Sequence, residues 1–253
     1  MANNEVILVD IAAEEPGDIA LFNADRWNRH PEGKYPELWV PFSKQVGSSG
    51  TLYPPNWRLF GAASGGAWSL GQANDPWSRL LVDFIPVTTD DGWYLTTCAA
   101  PGYGTGVTDI KSVKADKDPI LTLYFVNGSD GQNGAQDIYA FVGAVETLLS
   151  STPDGWYFKL DTASSANWKA VTRSGGSETS TDTGVANGGT VRRFTIYATS
   201  SKVRFYIDGV LKATHTTNID TALMYPVIQE LYPIDDWTTY TAVIIGCHLR
   251  MRP

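Results

Sequence analysis

Apolar residues along this chain recur with a period of two far more often than with the i, i+3, i+4, i+7 spacing of a helix. Runs such as "RLLVDFIP", "ILTLYFV", "IYAFVGAV", "GWYFKLD", "RFTIYAT", "VRFYID" and "TAVIIGCHLRM" are short and rich in β-branched and aromatic residues. Gly, Pro, Asn, Asp and Ser fence them, the punctuation expected of strands and turns. The pattern predicts more than seven strands. An apolar sheet face has to be covered, so many short strands predict a sandwich or barrel. In Ile120–Val126 both alternating rows are largely apolar, which predicts a central strand with little exposure on either side.

The clearest local signal is "VRFYIDGVLKATHTTNI", Val203 to Ile219, two strands folded about Asp208-Gly209. Asp-Gly supplies the positive φ angles of a two-residue type I′ turn. Pairing about it sets Val203, Phe205 and Ile207 on one face with Val210, and Arg204 and Tyr206 on the other with Leu211 and Ala213. The string "DGWY" occurs at Asp91 and again at Asp154, each time opening a strand, and reads as one turn solution used twice. "VNGSDGQNGAQD" (126–137) reads as a flexible hairpin tip, whereas the stretch from Thr162 to Thr190 contains two further strands, "NWKAVTR" and "SETSTDTGV". Residues 1–45 hold one convincing strand, "EVILVDI", and are assigned to an N-terminal arm; residues 46–253 form the sandwich.

Composition narrows the function classes. A formal charge of -8 and a pI near 4.8 argue against a nucleic-acid partner, which needs a basic surface. No long apolar run and no basic-then-apolar leader is visible, which predicts no membrane span, no secretory signal and synthesis in a cytoplasm. Cys98 and Cys247 cannot make a disulfide framework and read as small buried hydrophobes; Cys247 continues a row with Val243, Ile245, Leu249 and Met251.

From about Phe141 to Leu249, "DGWYFKLDTASSANWKAVTRSGGSETSTDTGVA", "VRFYIDGVLKATHTTNI", "MYPVIQEL" and a closing apolar strand follow one another in an order that resembles the concanavalin A-like lectin/glucanase jelly rolls of tailed-bacteriophage virion proteins. The resemblance implies an all-β fold of two curved antiparallel sheets, and a structural or glycan-binding role on a virion assembled in a host cytoplasm. Its partners would be capsid or tail proteins of the same particle, a host surface glycan and sister copies in a homo-oligomer. Where such domains usually carry Asp-Tyr this chain has "IIGCHL", so no polar role is expected of the last strand.

Catalysis is disfavoured by the residues themselves. Retaining glycoside hydrolysis needs two carboxylates about 5 Å apart, which alternate positions on one strand supply. Glu146, Glu178 and Glu230 fall in separate segments, and Glu230 with Asp235 and Asp236 is the nearest approach to a cluster. His30, His215 and His248 are scattered, without the spacing of a zinc site, and no Asp-x-Asn-x-Asp calcium loop exists. No metal or cofactor is expected. Sugar binding fits the composition better, because sugars stack on exposed aromatic rings and this chain has nine Trp, twelve Tyr and nine Phe. Most of these rings must be core. Candidates for the exposed minority are Tyr103, Trp168 and Tyr206, the last beside Arg204.

The sequence therefore predicts a concanavalin A-like antiparallel jelly-roll sandwich with an N-terminal extension and no enzymatic activity. A capsid decoration protein or head fibre is the first expectation. A tail-associated receptor-binding protein is the second, and a polysaccharide-active glycosidase or lyase the third. Docking is expected through the arm, with Trp27, Tyr35 and Trp39 as its anchors.

Overall fold

The computed structural model describes residues 91–97, 109–127, 138–188, 190–233 and 240–250, together with the strand segments 5–8, 20–23, 37–41, 57–62, 68–72 and 80–84. In chain order the strands are β1 (Glu5–Leu8), β2 (Ala20–Asn23), β3 (Glu37–Pro41), β4 (Trp57–Ala62), β5 (Trp68–Gln72), β6 (Leu80–Phe84), β7 (Asp91–Thr97) and β8 (Ile120–Asn127). They continue as β9 (Tyr139–Val145), β10 (Gly155–Asp161), β11 (Asn167–Ser174), β12 (Ser177–Ala186), β13 (Arg192–Ala198), β14 (Val203–Ile207), β15 (Val210–His215), β16 (Tyr225–Tyr232) and β17 (Tyr240–Arg250). A single turn of 3-10 helix, Ala115–Lys117, precedes β8, and among the described residues no helix is long and apolar enough to cross a membrane.

The strands build a seven-stranded sheet, β12-β11-β10-β9-β16-β7-β4, and an eight-stranded sheet, β15-β14-β13-β8-β17-β6-β5 with β3 added beside β17. Pairing is antiparallel throughout both sheets. The predicted two-sheet sandwich is present, and β8 lies well inside its sheet as its two apolar rows require. The "VNGSDGQNGAQD" stretch is not a hairpin tip, however: β8 and β9 on either side of it belong to different sheets, so the chain crosses the sandwich there. Residues 128–137 themselves lie outside the described residues.

Alternation fills the space between the sheets. Trp93, Leu95, Val142, Trp156, Phe158, Trp168 and Ile228 come from the seven-stranded sheet; Leu121, Leu123, Phe125, Phe194, Ile196 and Phe205 come from the other. Phe158 meets Phe205 edge-on at 5.3 Å, and Trp168 lies 4.7 Å from Phe194. Burying each such side chain contributes about 1.5–3 kcal/mol, so this layer dominates folding. The repeated "DGWY" is one structural solution used twice: Trp93 and Trp156 enter this core, while Tyr94 and Tyr157 sit in a second apolar cluster on the opposite face of the same sheet.

In the β14–β15 hairpin, Asp208 (φ 53) and Gly209 (φ 82) both adopt positive φ, as the expected turn requires. The Asp208 carboxylate accepts from the Arg193 backbone N–H at 2.9 Å and pairs with Arg192 at 2.9 Å. The expected facing holds for Val203, Phe205, Ile207, Val210 and Leu211 and fails at Ala213. A bulge between Leu211 and Ala213 moves Ala213 opposite Phe205 and into the core, and Val210 is left half exposed. Gly209→Val is expected to cost about 1–2 kcal/mol through its backbone angle. A Cβ there would meet only the mobile end of Arg193, at 2.7 Å. A lower midpoint in thermal melting checks this, and an unchanged one would refute the strain.

A second bulge corrects the row proposed for β17. The register places Cys247 opposite Leu123 and Leu249 opposite Leu121, but slips between Ile244 and Gly246, so that Val243 faces Val126 and leaves the row. Among the described residues of 1–45 there are three strands rather than one. β1 pairs with β2, and β3 pairs with β17, where Trp39 lies opposite His248. β2 and β3 are only four and five residues long, too short for alternation to declare them.

Candidate functional site

The face of the seven-stranded sheet turned away from the core carries the chemistry. One part of it is sealed. Phe141, Val145, Tyr157, Val171, Val227 and Leu231 form an apolar cluster under Leu148 and Leu149 of the β9–β10 loop. Leu149, at φ 53, is held there by donating its N–H to Gln229 Oε1 at 3.1 Å. The Tyr94 hydroxyl at the far side donates to Asp109 at 2.6 Å.

The other part is polar and partly exposed, and the register builds it. β9 and β10 pair with Tyr139 opposite Asp161 and Phe141 opposite Lys159, so these four alternate positions share one face. Lys159 Nζ lies 5.0 Å from the centre of the Tyr139 ring, 5.8 Å from that of Phe141 and 3.9 Å from Asp161 Oδ2. Asp161 Oδ1 is buried and has no hydrogen-bond partner. β11 and β12 extend the group: Asn167 donates to Asp182 at 3.1 Å, and Lys169 Nζ donates to Ser164 at 3.3 Å. Tyr139, Lys159, Asp161, Asn167 and Lys169 are all half-buried, and Asp182 is exposed. A ring, two ammonium groups, two carboxylates and an amide thus line one half-open surface, a set suited to stacking on a sugar ring and exchanging hydrogen bonds with its hydroxyls.

At the opposite end of β9, carboxylate oxygens of Glu146, Asp154 and Asp220 lie within 4.8 Å of one another. An all-oxygen set is what a hard cation takes. Here each carboxylate already has a partner within the fold. Asp154 accepts from the Gly175 N–H at 3.0 Å and the Gly176 N–H at 3.3 Å, and stands 3.2 Å from Arg173 Nε in an ion pair without good hydrogen-bond direction. Glu146 pairs with Lys111 at 3.7 Å, and Asp220 accepts from the Ala222 N–H at 2.7 Å. The grouping clasps the β9–β10 and β11–β12 connections. Asp220 is far from Glu146 and Asp154 in sequence, which hid the group from motif spacing.

Glu230 is no candidate for surface chemistry. It projects into the core, where its Oε2 accepts from Trp93 Nε1 at 3.0 Å and from the Tyr232 hydroxyl at 2.6 Å. Burial pushes its carboxyl up to about 7 despite these two hydrogen bonds. Asp235 and Asp236 lie outside the described residues.

The expected sugar-binding rings are corrected in part. Trp168 is not at the surface: it is the first inward position of β11 and packs edge-on against Phe125 at 6.2 Å. Tyr206 is 5% exposed on the outer face of the eight-stranded sheet, so its ring offers no stacking surface. Arg204 is half-buried, 5.9 Å from the centre of Tyr197. Tyr103, Trp27 and Tyr35 lie outside the described residues, and Trp39 is placed on β3 by its backbone.

No protein-family model matches this chain, and no curated protein matches it. Solved structures do. The β-glucanase of Bacillus licheniformis is 10% identical over 86% of this chain and 98% of its own, with a TM-score of 0.51. The fold is the glucanase and lectin type of jelly roll. A protein of unknown function from Shewanella oneidensis MR-1 is 8% identical over 87% of each chain, with a TM-score of 0.55. The binding domain of botulinum neurotoxin serotype D is 12% identical over 87% of this chain and 48% of that one, with a TM-score of 0.50. One fold therefore carries a glucanase and a binding domain, and at these identities the likeness is one of architecture.

Proposed function

We propose that the chain is a non-catalytic, glycan-binding jelly-roll module whose ligand lies across Tyr139, Lys159 and Asp161, with Asn167, Lys169 and Asp182 at its rim. The observation that carries this reading is the register of β9 and β10 at that point. It sets an aromatic ring beside a cation and beside a carboxylate whose Oδ1 is buried and has no partner in the fold, so that a ligand reaching it must displace the Lys159 side chain or enter beside it. The non-catalytic reading rests on the carboxylates. Glu230 is sealed in the core, and Glu146, Asp154 and Asp220 are engaged inside the fold.

Isothermal titration of the full chain against neutral and uronate-containing oligosaccharides tests this. Binding should weaken by about tenfold or more in Asp161→Asn and Lys159→Met, as expected for loss of one or two charge-assisted hydrogen bonds, with little change in melting temperature. No reducing ends and no unsaturated products should appear. Unaltered affinity in both variants would remove the site, and turnover would remove the non-catalytic reading.

A structural place on a phage particle is the finer reading, resting on the sequence resemblance between Phe141 and Leu249. In that reading residues 1–45 dock onto capsid or tail proteins or onto sister subunits, and the glycan face is turned outward. A phage-particle preparation in which peptides of this chain co-purify with the head or tail fraction would support it.

A further inference from the structure

The β12 and β15 strands end their respective sheets and lie on the same side of the sandwich. Each is hydrogen-bonded along its backbone to one neighbour, β11 or β14. What joins the two sheets here is polar. The His215 ring, at the end of β15, bonds through Nδ1 to the Thr172 hydroxyl at 3.0 Å and through Nε2 to the Thr181 hydroxyl at 2.9 Å. Thr179 meets Thr217 at 2.8 Å, and Asn218 donates to Thr179 at 3.0 Å.

The hydroxyl hydrogens fix the tautomer. Thr172 gives its one hydrogen to the Thr217 carbonyl at 2.9 Å, so toward His215 it can only accept. Nδ1 must therefore carry the proton, and Nε2, as the lone-pair nitrogen, accepts from Thr181. A second proton can go only to Nε2. The Thr181 hydroxyl would have to turn its hydrogen away and accept from Nε2–H, so what works against the latch is the full charge placed in a 3% exposed ring beside Phe205, whose centre is 5.1 Å away. No carboxylate among the described residues is there to receive it. On β12, Glu178 and Asp182 alternate with Thr179 and Thr181 and belong to the outer face, and Arg173 stands in the same relation to Thr172. On β14 the facing residues are Val203 and Phe205, and Asp220 beyond the turn is engaged with Ala222.

We propose that His215 is an acid-sensitive latch on the open side of the sandwich: neutral, it ties the edge of one sheet to the edge of the other, and protonated, it releases β12 from β15 and Thr217. The direction agrees with its burial, which holds the imidazole below its ordinary 6.5. The stability it contributes is present above that ordinary value and is lost as pH falls through the lowered one. Release would uncover the backbone edges of both strands and the Phe205 end of the core.

Hydrogen–deuterium exchange on the full chain, at about pH 7.5 and about pH 5 with exchange times scaled for intrinsic rate, reads the latch directly. Acid should cost peptides covering 177–186 and 210–218 about tenfold in protection, and peptides from β8 and β9 little. In His215→Gln, which can bond Thr181 but cannot titrate, these two segments should exchange alike at both pH values. Should that variant not fold, nitrogen NMR of the wild-type imidazoles decides. A proton on Nδ1 at neutral pH and a midpoint below that of free imidazole support the latch. Acid-invariant protection at 177–186, an unchanged acid response in His215→Gln, or a ring protonated on Nε2 would each overturn it.

Discussion

Replacing Glu230 by alanine is expected to destabilise the fold by about 3–5 kcal/mol, because it leaves the Trp93 indole N–H and the Tyr232 hydroxyl without an acceptor inside a sealed core and adds a cavity. The pH dependence is the more diagnostic result. The carboxyl is raised from 4.5 to about 7, so the folded protein binds a proton more tightly than the unfolded chain does. Stability from this group is fully present below pH 4.5 and is lost as pH rises through about 7, a change on the order of 3 kcal/mol. Urea midpoints taken on the acid and alkaline sides of that window should therefore fall with pH in the wild type. In Glu230→Gln the fall should vanish, at the cost of one amide N–H placed where Oε1 now has no partner. Equal pH slopes in the two proteins would mean that Glu230 is hydrated. His215 and Glu230 act in opposite senses, so an acid loss traced to His215 and an alkaline loss traced to Glu230 are separable by variant.

Gly155→Ala should be at least as damaging, by about 3 kcal/mol or more once overlap and backbone angle are combined. A Cβ at Gly155 would overlap the Ala144 carbonyl oxygen and lie 3.0 Å from the Val145 Cα, and its φ of 146 is one that other residues resist. The obstacle is backbone of the neighbouring strand, so relief requires β9 and β10 to part. Gly92, its counterpart in the repeated string, meets the Glu230 carbonyl oxygen in the same way, and Gly92→Ala should cost about 1–3 kcal/mol. Gly188→Ala is the control, since a Cβ there has nothing within 4 Å. Calorimetric melting of the three variants should rank them in that order. A Gly155→Ala protein as stable as Gly188→Ala would show that the two strands are farther apart than described.

Much of this architecture was legible because alternation is a local property. The rows of β8 and β14 could be read residue by residue, β10, β11 and β13 could be placed as strands, and the Asp208-Gly209 turn named its own backbone angles. Legibility failed where a strand slips. The bulges in β15 and β17 change which residues share a face without changing composition, so Ala213 and Val243 were set on the wrong side. Trp168 was set among the exposed rings although it lies within the predicted strand "NWKAVTR", because alternation groups it with Ala170 without saying which row faces the other sheet. The site itself could have been found. Folding "DIYAF" against "FKLD" about the β9–β10 loop sets Tyr139 opposite Asp161, but only if the two runs are already known to be neighbours. The environments of Glu230 and His215 were beyond reach, since each depends on strands far away in the chain.

The order of the strands also has a consequence for how the protein comes to exist. β16 sits between β9 and β7, and β17 between β8 and β6, so each sheet is completed in its middle by one of the last strands to be made. Until they emerge from the ribosome, the apolar flanks of β8 and β9 have no permanent neighbour, and the earlier strands wait as two unjoined halves. Closure depends on contacts of large sequence separation, which form slowly, and the waiting halves are the kind of exposed edge that other chains can pair with. Yield in a host cell should therefore be governed by how long synthesis takes to pass from residue 146 to residue 250, and slowing translation within that stretch should send the product into inclusion bodies.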